Sequence, residues 1–296
     1  MVACGRVHQR IDLGAVTQQP FSTSASTTLI RGDSISTLPL FPDESVDLIF
    51  ADPPYRLSNG GFSCQSGRRA LVNKGTWDAA RTHEEDHEWN LTWLAECQRI
   101  LKPTGSLWVS GTQHVIYSLG FALQTLGYHL LNTVTWLKPN ASPNLSCRFF
   151  THSSEILIWA SPHRQTPLQH TFNYHTMKTE NGGKQMRDVW EIPVPPQSEK
   201  LLGKHPTQKP LRLMRRIVAA STNPGELVLD PFAGSCSTGV ACVELGRLFV
   251  GIEREPEYLE LGTRRMGMAG MAAQVRSTHE HREWPAEETG RDAAAS

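Results

Sequence analysis

The sequence predicts an α/β protein with a mostly parallel β-sheet and helices on both faces. Short apolar segments, such as residues 46–51 and 226–230, are bounded by turn-forming residues, which is typical of buried parallel strands. Segments with helical apolar spacing lie between such strands, as at residues 83–101. A chain of 296 residues is long enough for one large domain of this kind with a small insertion.

The composition excludes several classes of protein. The 29 basic residues balance the 29 acidic residues, so any surface that binds an anionic polymer must be a local patch. The six cysteines form no CxxC pair and no Cys/His set at zinc spacing, which predicts reduced thiols in a cytoplasmic protein and no metal site. The sequence has no apolar run of membrane-spanning length and no signal peptide, so we expect neither membrane insertion nor export.

A catalytic centre is predicted where the strand at residues 46–51 ends in Asp52, Pro53, Pro54 and Tyr55. The carboxyl ends of parallel strands are where ligands bind in open α/β sheets. The prolines hold Asp52 and Pro53 in an extended conformation, with carbonyls that no helix uses. The Asp52 carboxylate and the Pro53 carbonyl can accept both N–H groups of a planar exocyclic amine, which leaves its lone pair free to attack. Tyr55 can stack on the base.

A cofactor site is predicted in the last third of the chain. The strand at residues 226–230 leads into a turn of small residues and a helix, and a second strand ends in Glu253, where a carboxylate can accept both hydroxyls of a ribose. S-adenosylmethionine requires this arrangement, whereas the GxGxxG and GKS/GKT motifs of dinucleotide and triphosphate sites are absent. The predicted cofactor residues here are Asp230, Phe232, Ala233, Gly234, Ser235, Cys236, Ser237 and Glu253.

A second part of the cofactor site is expected at residues 204–210, which precede a helical segment. Thr207 is predicted to be the N-cap of that helix, with Pro210 in its first turn. Free N–H groups at the start of the helix can bind the carboxylate of the methionine moiety. His205, Thr207 and Lys209 are therefore cofactor candidates.

Two polar loops are candidates for contacts with a nucleic acid. The Gly-rich residues 56–69 predict a mobile loop, in which Arg56 and Arg68 bind phosphates and Ser58 and Asn59 reach base edges. Residues 138–152, which include Arg148, predict a lip for an extruded base. An ordinary solvated loop remains the alternative for residues 56–69.

Residues 161–203 differ in composition from the rest of the chain and predict a target-recognition insertion. Lys184 and Arg187 supply positive charge, and Gln185 and Arg187 can make bidentate contacts to adenine and guanine in the major groove. Aromatic residues, namely Phe172, Tyr174 and Trp190, interleave with the charges. The alternative interpretation is a lid or linker with incidental charges.

The motifs and their order resemble the β group of DNA amino-methyltransferases over residues 28–265. Asp-Pro-Pro-Tyr at residues 52–55 comes first, the insertion follows, and His-Pro-Thr-Gln-Lys-Pro at residues 205–210 precedes the cofactor turn. Further matching segments are Leu-Ser-Asn-Gly-Gly at 57–61, Asn-Leu-Ser-Cys-Arg at 144–148, Phe-Thr-His-Ser at 150–153 and Gly-Lys-Gln-Met at 183–186. Together these segments resemble the DpnA-type methylases of GATC restriction-modification systems.

This resemblance implies methylation of adenine N6 in GATC, in double-stranded and also in single-stranded DNA. It also implies that Asp33 lies near the adenine of the cofactor, although a Gly-Asp turn after a strand can simply cap a helix. The family carries Phe-x-Gly-Ser-Gly where this chain has Cys236. We therefore expect a side chain where the backbone normally approaches the cofactor, with an effect on affinity.

Three alternative functions differ from this resemblance in the motifs that they require. An N4-cytosine methyltransferase usually has Ser in place of Asp52, and a release-factor glutamine methyltransferase carries its Asn-Pro-Pro-Tyr motif after the cofactor turn. A non-catalytic relic is expected to have lost Asp52 or Glu253, and both are present. The predicted organisation is a flexible arm (1–27), a catalytic half (28–160), the recognition insertion (161–203), a cofactor half (204–268) and a disordered tail (269–296). A homodimer is left open.

Overall fold

The computed structural model describes residues 21–55, 62–65, 68–71 and 82–280, and it describes side chains in all of these except residues 62–71 and 275–280. The helices are α1 (Ser34–Thr37), α2 (His83–Ile100), α3 (Ile116–Thr125), α4 (Tyr174–Glu180), α5 (Leu211–Ser221), α6 (Ser237–Leu245) and α7 (Pro256–Glu280). The strands are β1 (Ser22–Thr23), β2 (Thr27–Arg31), β3 (Val46–Ala51), β4 (Phe62–Gln65), β5 (Arg68–Leu71), β6 (Leu101–Gly111), β7 (His129–Leu137), β8 (Ser154–Ser161), β9 (Val189–Glu191), β10 (Leu227–Asp230) and β11 (Leu248–Glu253).

Within the described residues, nine strands form one sheet in the order β1-β2-β11-β10-β3-β6-β8-β7-β9. The strands from β2 to β6 in this order are parallel to one another. Their apolar residues are buried on both faces, as in β3, where all six residues are buried. The predicted fold class, a mostly parallel α/β sheet, is confirmed.

One inner strand explains why the sheet is mostly, and not entirely, parallel. β8 lies between β6 and β7 and is antiparallel to both, a direction that the sequence did not predict. No helix separates β7 from β8 in the described chain, so the connection between them does not have to cross the sheet. The amino end of β8 therefore lies at the same edge as the carboxyl ends of β3 and β6.

Helices cover both faces of the sheet and give two core clusters. On one face α2 and α3 pack through residues such as Trp93 and Leu119, and on the other face α5, α6 and α7 pack through residues such as Ile217, Val240 and Leu259. Thr82 and Glu85 form a reciprocal capping box that fixes the start of α2. Trp93 is fully buried, which confirms that it is a core residue.

Several predicted boundaries differ from the structure. The helical segment predicted at residues 83–101 ends one residue earlier, and β6 begins at Leu101 and continues through residues 102–105, which a shift of register against β3 accommodates. A Cβ on Gly105 would lie 2.8 Å from the carbonyl oxygen of Asp47, so the close approach of the two strands requires glycine here. Residues 62–71, predicted to be part of a loop, contain the antiparallel pair β4-β5.

The predicted insertion is not separate from the main sheet. Its strand β9 pairs in parallel with β7 at the sheet edge, and Asn173 donates hydrogen bonds to the α5 carbonyl of Ala219 and to that of Thr222. At the chain ends, β1 pairs with β2, and α7 extends beyond the predicted boundary at 268. The rest of the predicted arm and tail lies outside the described residues.

Candidate active site and cofactor cleft

The site lies at the edge of the sheet where the parallel strands end. Asp52 follows β3, Ser110 lies near the end of β6, and Glu253 ends β11. Lys138 follows β7, and Glu155 lies at the start of the antiparallel β8, opposite Trp136. The topology thus brings five polar side chains to one edge, although they are far apart in the sequence.

The Asp52 carboxylate is held by three donors. Its Oδ1 accepts hydrogen bonds from the Tyr55 hydroxyl at 2.6 Å and from the Ser110 hydroxyl, and its Oδ2 accepts one from Lys209 Nζ at 2.6 Å. The prolines act as expected: the chain leaves β3 without forming a helix, and Pro53 is buried. Asp52 is therefore fixed in one orientation, with only 13% of its side chain exposed.

Tyr55 does not present an open face in this conformation. The residue is 6% exposed and its ring packs in the core, while its hydroxyl contacts Asp52, Glu155 and Lys209. Burial and the neighbouring carboxylates raise the pKa of Tyr55 well above its ordinary value, so the phenol stays protonated and acts as a donor. The geometry supports a role in holding Asp52 rather than the predicted stacking on a base.

Alternating charges continue from Asp52 into the sheet. Lys209 Nζ lies 3.4 Å from Glu155 Oε2, and Lys138 Nζ lies 2.9 Å from Glu155 Oε1. Burial opposes ionisation of Glu155, but the two lysines outweigh it and lower the pKa of its carboxyl to about 2. Burial likewise lowers the pKa of Lys209, but Asp52 and Glu155 more than offset this and raise it overall. Glu155 and Lys209 are therefore both charged at neutral pH.

A large cavity opens beside this cluster. It has a volume of about 1090 Å³, enough for a nucleotide, and it lies between α3 and the 204–210 segment. Tyr55, Glu155 and Lys209 lie at its catalytic end, and Tyr117 lines it from α3. The catalytic carboxylate thus lies next to a space that can receive a base.

The turn after β10 builds the second half of the site. Glu253 Oε2 accepts a hydrogen bond from Gly234 N at 2.8 Å, and Oε1 accepts from the backbone N–H groups of Arg254 and Glu255. The Asp230 carboxylate accepts from Phe232 N and from the Thr238 hydroxyl, and burial raises its pKa to about 7. These bonds fix the turn and hold the Glu253 carboxylate against it.

The Cys236 side chain points away from the cleft, contrary to expectation. Cys236 has a left-handed backbone (φ 55°) at the start of α6, is fully buried, and packs against Gly262 of α7. A Cβ on Gly262 would overlap with Cys236 Sγ, so α7 has room for the thiol only because residue 262 is glycine. The predicted intrusion into the cofactor site was wrong, because the turn directs this side chain into the core.

Nine of the twelve predicted cofactor residues line a narrow cleft between the 204–210 segment and the turn after β10; Asp33, Cys236 and Glu253 are not part of this lining. The shared lining residues are His205, Thr207, Lys209, Asp230, Phe232, Ala233, Gly234, Ser235 and Ser237, together with Asp52. The free volume of this cleft is about 30 Å³, room for one water molecule, because His205 lies against Gly234. A nucleoside therefore requires these two segments to separate.

The chemistry of the cleft fits S-adenosylmethionine. Gln208 is 7% exposed and lines both the cleft and the large cavity, and its amide oxygen is buried without a hydrogen-bond partner among the described residues. An orphaned acceptor of this kind is costly unless a ligand supplies a donor. The Glu253 carboxylate bonds Gly234 of the cleft lining, so the cleft and its border carry acceptors suited to an amino acid linked to a nucleoside.

The start of α5 differs from the prediction. The helix begins at Leu211, its N-cap is Pro210, and Thr207 lies before it with its hydroxyl 3.3 Å from His205 Nδ1. Glu199 already accepts a hydrogen bond from Leu211 N. The predicted anion site at this helix start is therefore occupied by a carboxylate of the chain, and Thr207 is not a cap.

Asp33 has the structural role that the sequence left open. It is the N-cap of α1 and accepts a hydrogen bond from Ile35 N at 3.0 Å. Gly32 N also bonds the carbonyl of Glu253, so the turn lies beside the end of β11. Asp33 thus lies close in the fold to Glu253, while its place as a cofactor contact stays a prediction.

The predicted DNA contacts divide into three groups. Arg56, Ser58 and Asn59 lie outside the described residues, and only the backbone of Arg68 is described, in β5. Arg148 is exposed in the loop between β7 and β8. Three exposed residues, Lys184, Gln185 and Arg187, line a groove of about 1030 Å³ on the other face of β8 and not the catalytic cavity.

Trp190 is not available for stacking on a base. It is 6% exposed, its ring lies 5.6 Å from that of Trp108, and the Arg216 guanidinium lies over its other side. Phe150, in contrast, is 96% exposed in the loop that was predicted to form a lip. Tyr117 and Phe121 of α3, which line the catalytic cavity, are also exposed, so the aromatic rings offered to solvent come from α3 as well as from this loop.

Sequence reasoning missed four residues of the site: Ser110, Lys138, Glu155 and Gln208. A charged residue at the start of an otherwise apolar strand was a usable signal for Glu155. The antiparallel direction of β8, which is what brings Glu155 to the catalytic edge, has no signal in the sequence. Lys209 was assigned to the cofactor, but in the structure it bonds the catalytic carboxylate.

The sequence of the chain is similar to those of known DNA methylases. A family model described as DNA methylase matches residues 46–264. The chain is 46% identical to the Type II methyltransferase M2.LlaDCHI of Lactococcus lactis subsp. cremoris and to the Type II methyltransferase M2.DpnII of Streptococcus pneumoniae, in each case over 86% of this chain and 94% of the relative.

Solved structures show the same fold. The crystal structure of an M1.HpyAVI-SAM complex matches with a TM-score of 0.61 and 27% identity over 81% of this chain and 98% of that chain. The PvuII DNA methyltransferase, described as cytosine-N4-specific, matches with a TM-score of 0.67 and 20% identity over 87% of this chain and 94% of that chain. The second likeness concerns the fold alone.

The fold and the site together define an S-adenosylmethionine-dependent methyltransferase. The sheet brings a nucleoside-binding turn and the carboxylate of an Asp-Pro-Pro-Tyr motif to one edge. The chain belongs to the DNA methylase family and is a site-specific DNA methyltransferase. Among the helices that the structure describes, none is long and apolar enough to cross a membrane.

Proposed function

We propose that the chain methylates the exocyclic N6 amine of adenine. The observation that supports this most directly is Asp52, a charged acceptor held by Tyr55, Ser110 and Lys209 beside a cavity large enough for a nucleotide. In the N4-cytosine group this position is usually Ser. Digestion of DNA methylated by the purified protein, followed by nucleoside analysis, should give N6-methyladenine; N4-methylcytosine would contradict the proposal.

The residues of the site have distinct tasks in this proposal. Asp52 accepts a hydrogen bond from the target amine, and its charge stabilises the positive charge that develops on the nitrogen in the transition state. Tyr55, Ser110 and Lys209 hold that carboxylate in place. Glu253 and the turn after β10 hold the ribose of the cofactor. S-adenosylmethionine, when bound, supplies a methyl group activated by its sulfonium.

The proposed target is GATC, in double-stranded and also in single-stranded DNA. The resemblance of residues 57–61, 144–148 and 183–186 to the methylases of GATC restriction-modification systems supports it. A DNA substrate implies activity in the cytoplasm. Sequencing of modified bases in DNA from a host that expresses the chain tests the target: methylation confined to GATC is expected, and methylation centred on another sequence would contradict it.

We assign target recognition to the exposed residues Gln185 and Arg187, which can each make bidentate contacts to a purine. The Gln185→Ala and Arg187→Ala variants should relax the preference for the target over DNA with one altered base pair by about 1 to 3 kcal/mol each. The Lys178→Ala variant, which also removes an exposed side chain of this insertion, is the control. If both variants discriminate like the wild type, recognition lies elsewhere.

A further inference from the structure

Four buried charges form a chain from the sheet to the catalytic carboxylate. Lys138, Glu155, Lys209 and Asp52 follow one another with separations of 2.9, 3.4 and 2.6 Å. Their side chains are 14%, 12%, 6% and 13% exposed, so water screens them little. Positive and negative charges alternate, and the group is neutral as a whole. The Lys209 ammonium lies between two carboxylates.

Lys209 occupies one of the acceptor positions of Asp52. The Asp52 Oδ1 atom already accepts from Tyr55 and Ser110, so Oδ2, which accepts from Lys209, is the less crowded oxygen. A target amine that donates to Asp52 must therefore share or take this oxygen. A buried ammonium that loses its partner without a replacement is strongly destabilised, so binding of the amine requires a second carboxylate for Lys209.

We propose that Glu155 is a positioning residue that receives the Lys209 ammonium when the target amine binds to Asp52. Glu155 Oε2 lies 3.4 Å from Lys209 Nζ, so a shift of well under 1 Å makes a normal charged hydrogen bond. Lys138 holds the other oxygen of Glu155 at 2.9 Å and keeps the carboxylate in place during the shift. Lys209 thus moves from one carboxylate to the other without losing its partner.

This inference rests on the proposed function only in that the substrate is an exocyclic amine of DNA. Its consequence is a specific energetic coupling between Glu155 and Lys209. When Lys209 is present, loss of the Glu155 charge leaves the ammonium bound to Asp52 and opposes entry of the amine. When Lys209 is absent, no ammonium needs to be received, and the charge of Glu155 matters little for turnover.

The test is a double-mutant cycle on turnover with Glu155→Gln and Lys209→Met. Total transfer of tritiated methyl groups to genomic DNA is measured, so the result does not depend on which base or sequence is modified. Glu155→Gln should lower kcat by 10- to 100-fold, with the dissociation constant for S-adenosylmethionine within twofold of the wild type. In the Lys209→Met background, Glu155→Gln should change kcat by less than threefold.

Asp47→Asn is the matched control. Asp47 is a buried carboxylate of the same sheet, paired with Lys102 at 2.7 Å at the opposite edge. The Asp47→Asn variant should lower the free energy of unfolding, as Glu155→Gln does, but it should not lower kcat. If Glu155→Gln is too unstable to assay, Glu155→Asp keeps the charge one methylene further away and should lower kcat by three- to tenfold, again only when Lys209 is present.

Two results would overturn the inference. Wild-type turnover in Glu155→Gln, or in Glu155→Asp where the former cannot be assayed, would show that Lys209 needs no second carboxylate. An equal loss of turnover with and without Lys209 would show that Glu155 acts only through the stability of the site. Nucleoside analysis of the same reactions tests the proposed base separately.

Discussion

At the scale of single residues, the Tyr55 hydroxyl helps to hold the catalytic carboxylate of Asp52. As a stacking ring, Tyr55 should tolerate loss of its hydroxyl, whereas the observed hydroxyl donates to Asp52 at 2.6 Å and lies 3.2 Å from Lys209 Nζ. Tyr55→Phe should therefore lower turnover by about 10- to 100-fold, since a hydrogen bond to a charged group contributes about 1.5 to 3 kcal/mol. Steady-state methyl transfer measures this. Turnover like that of the wild type would support stacking instead.

Substitutions at Glu253 and Cys236 should have different effects: the first on the affinity for the cofactor, the second on the stability of the fold. Glu253→Gln keeps the shape of the side chain but replaces one acceptor oxygen by a donor, so it should weaken S-adenosylmethionine binding by about 1 to 3 kcal/mol.

Cys236→Gly should leave the affinity for S-adenosylmethionine within twofold and instead lower the free energy of unfolding, because the buried thiol packs on α7 and not in the cleft. Titration calorimetry and thermal unfolding of both variants check this; loss of affinity in Cys236→Gly would contradict the observed orientation.

The raised pKa of the Asp230 carboxyl should make the stability of the protein depend on pH. Burial raises its pKa from 3.8 to about 7, so the folded state binds this proton more tightly than the unfolded state. The favourable contribution of the protonated carboxyl is present below pH 4 and is lost as the pH rises to about 7. Asp230→Asn should remove about 1 to 3 kcal/mol of this decline, measured by urea unfolding between pH 4 and pH 8. An unchanged slope would contradict a raised pKa.

At the scale of elements, the 204–210 segment has to move. It closes the cleft to about 30 Å³ through the contact of His205 with Gly234. Binding of S-adenosylmethionine should therefore open this contact and then order the segment around the cofactor. Hydrogen exchange should fall in residues 204–210 and 232–237 on binding and stay unchanged in α2. Equal exchange in these segments with and without cofactor would contradict the cleft as the binding site.

The limits of prediction also lie at this scale. The local signals of β3 and β10, which are short apolar runs before a turn, identified Asp52 and the turn around Gly234 directly. The direction of β8 has no local signal, because antiparallel and parallel strands of this length share the same apolar pattern. Glu155 and Lys138 were missed for that reason, since their proximity depends on the sheet order and not on nearby residues.

At the scale of the whole molecule, the sheet explains why residues that are distant in sequence act together. Asp52 comes from the first half of the chain, and Lys209 and Glu253 come from the second, yet β3 and β10 are neighbours in the sheet. The overall class could be predicted because strand and helix periods alternate clearly along the chain. The predicted domain division was less informative, because β9 of the insertion pairs with β7 of the main sheet.

The central claim is that Asp52 activates the target amine by accepting its hydrogen bond. Asp52→Ala should reduce turnover by at least about three orders of magnitude and leave the affinity for S-adenosylmethionine nearly unchanged. Asp52→Asn keeps an acceptor oxygen but loses the charge, so its turnover should fall between those of the wild type and Asp52→Ala. The measurement is tritiated methyl transfer to DNA by the three proteins at saturating cofactor. Turnover of Asp52→Ala equal to that of the wild type would contradict the account.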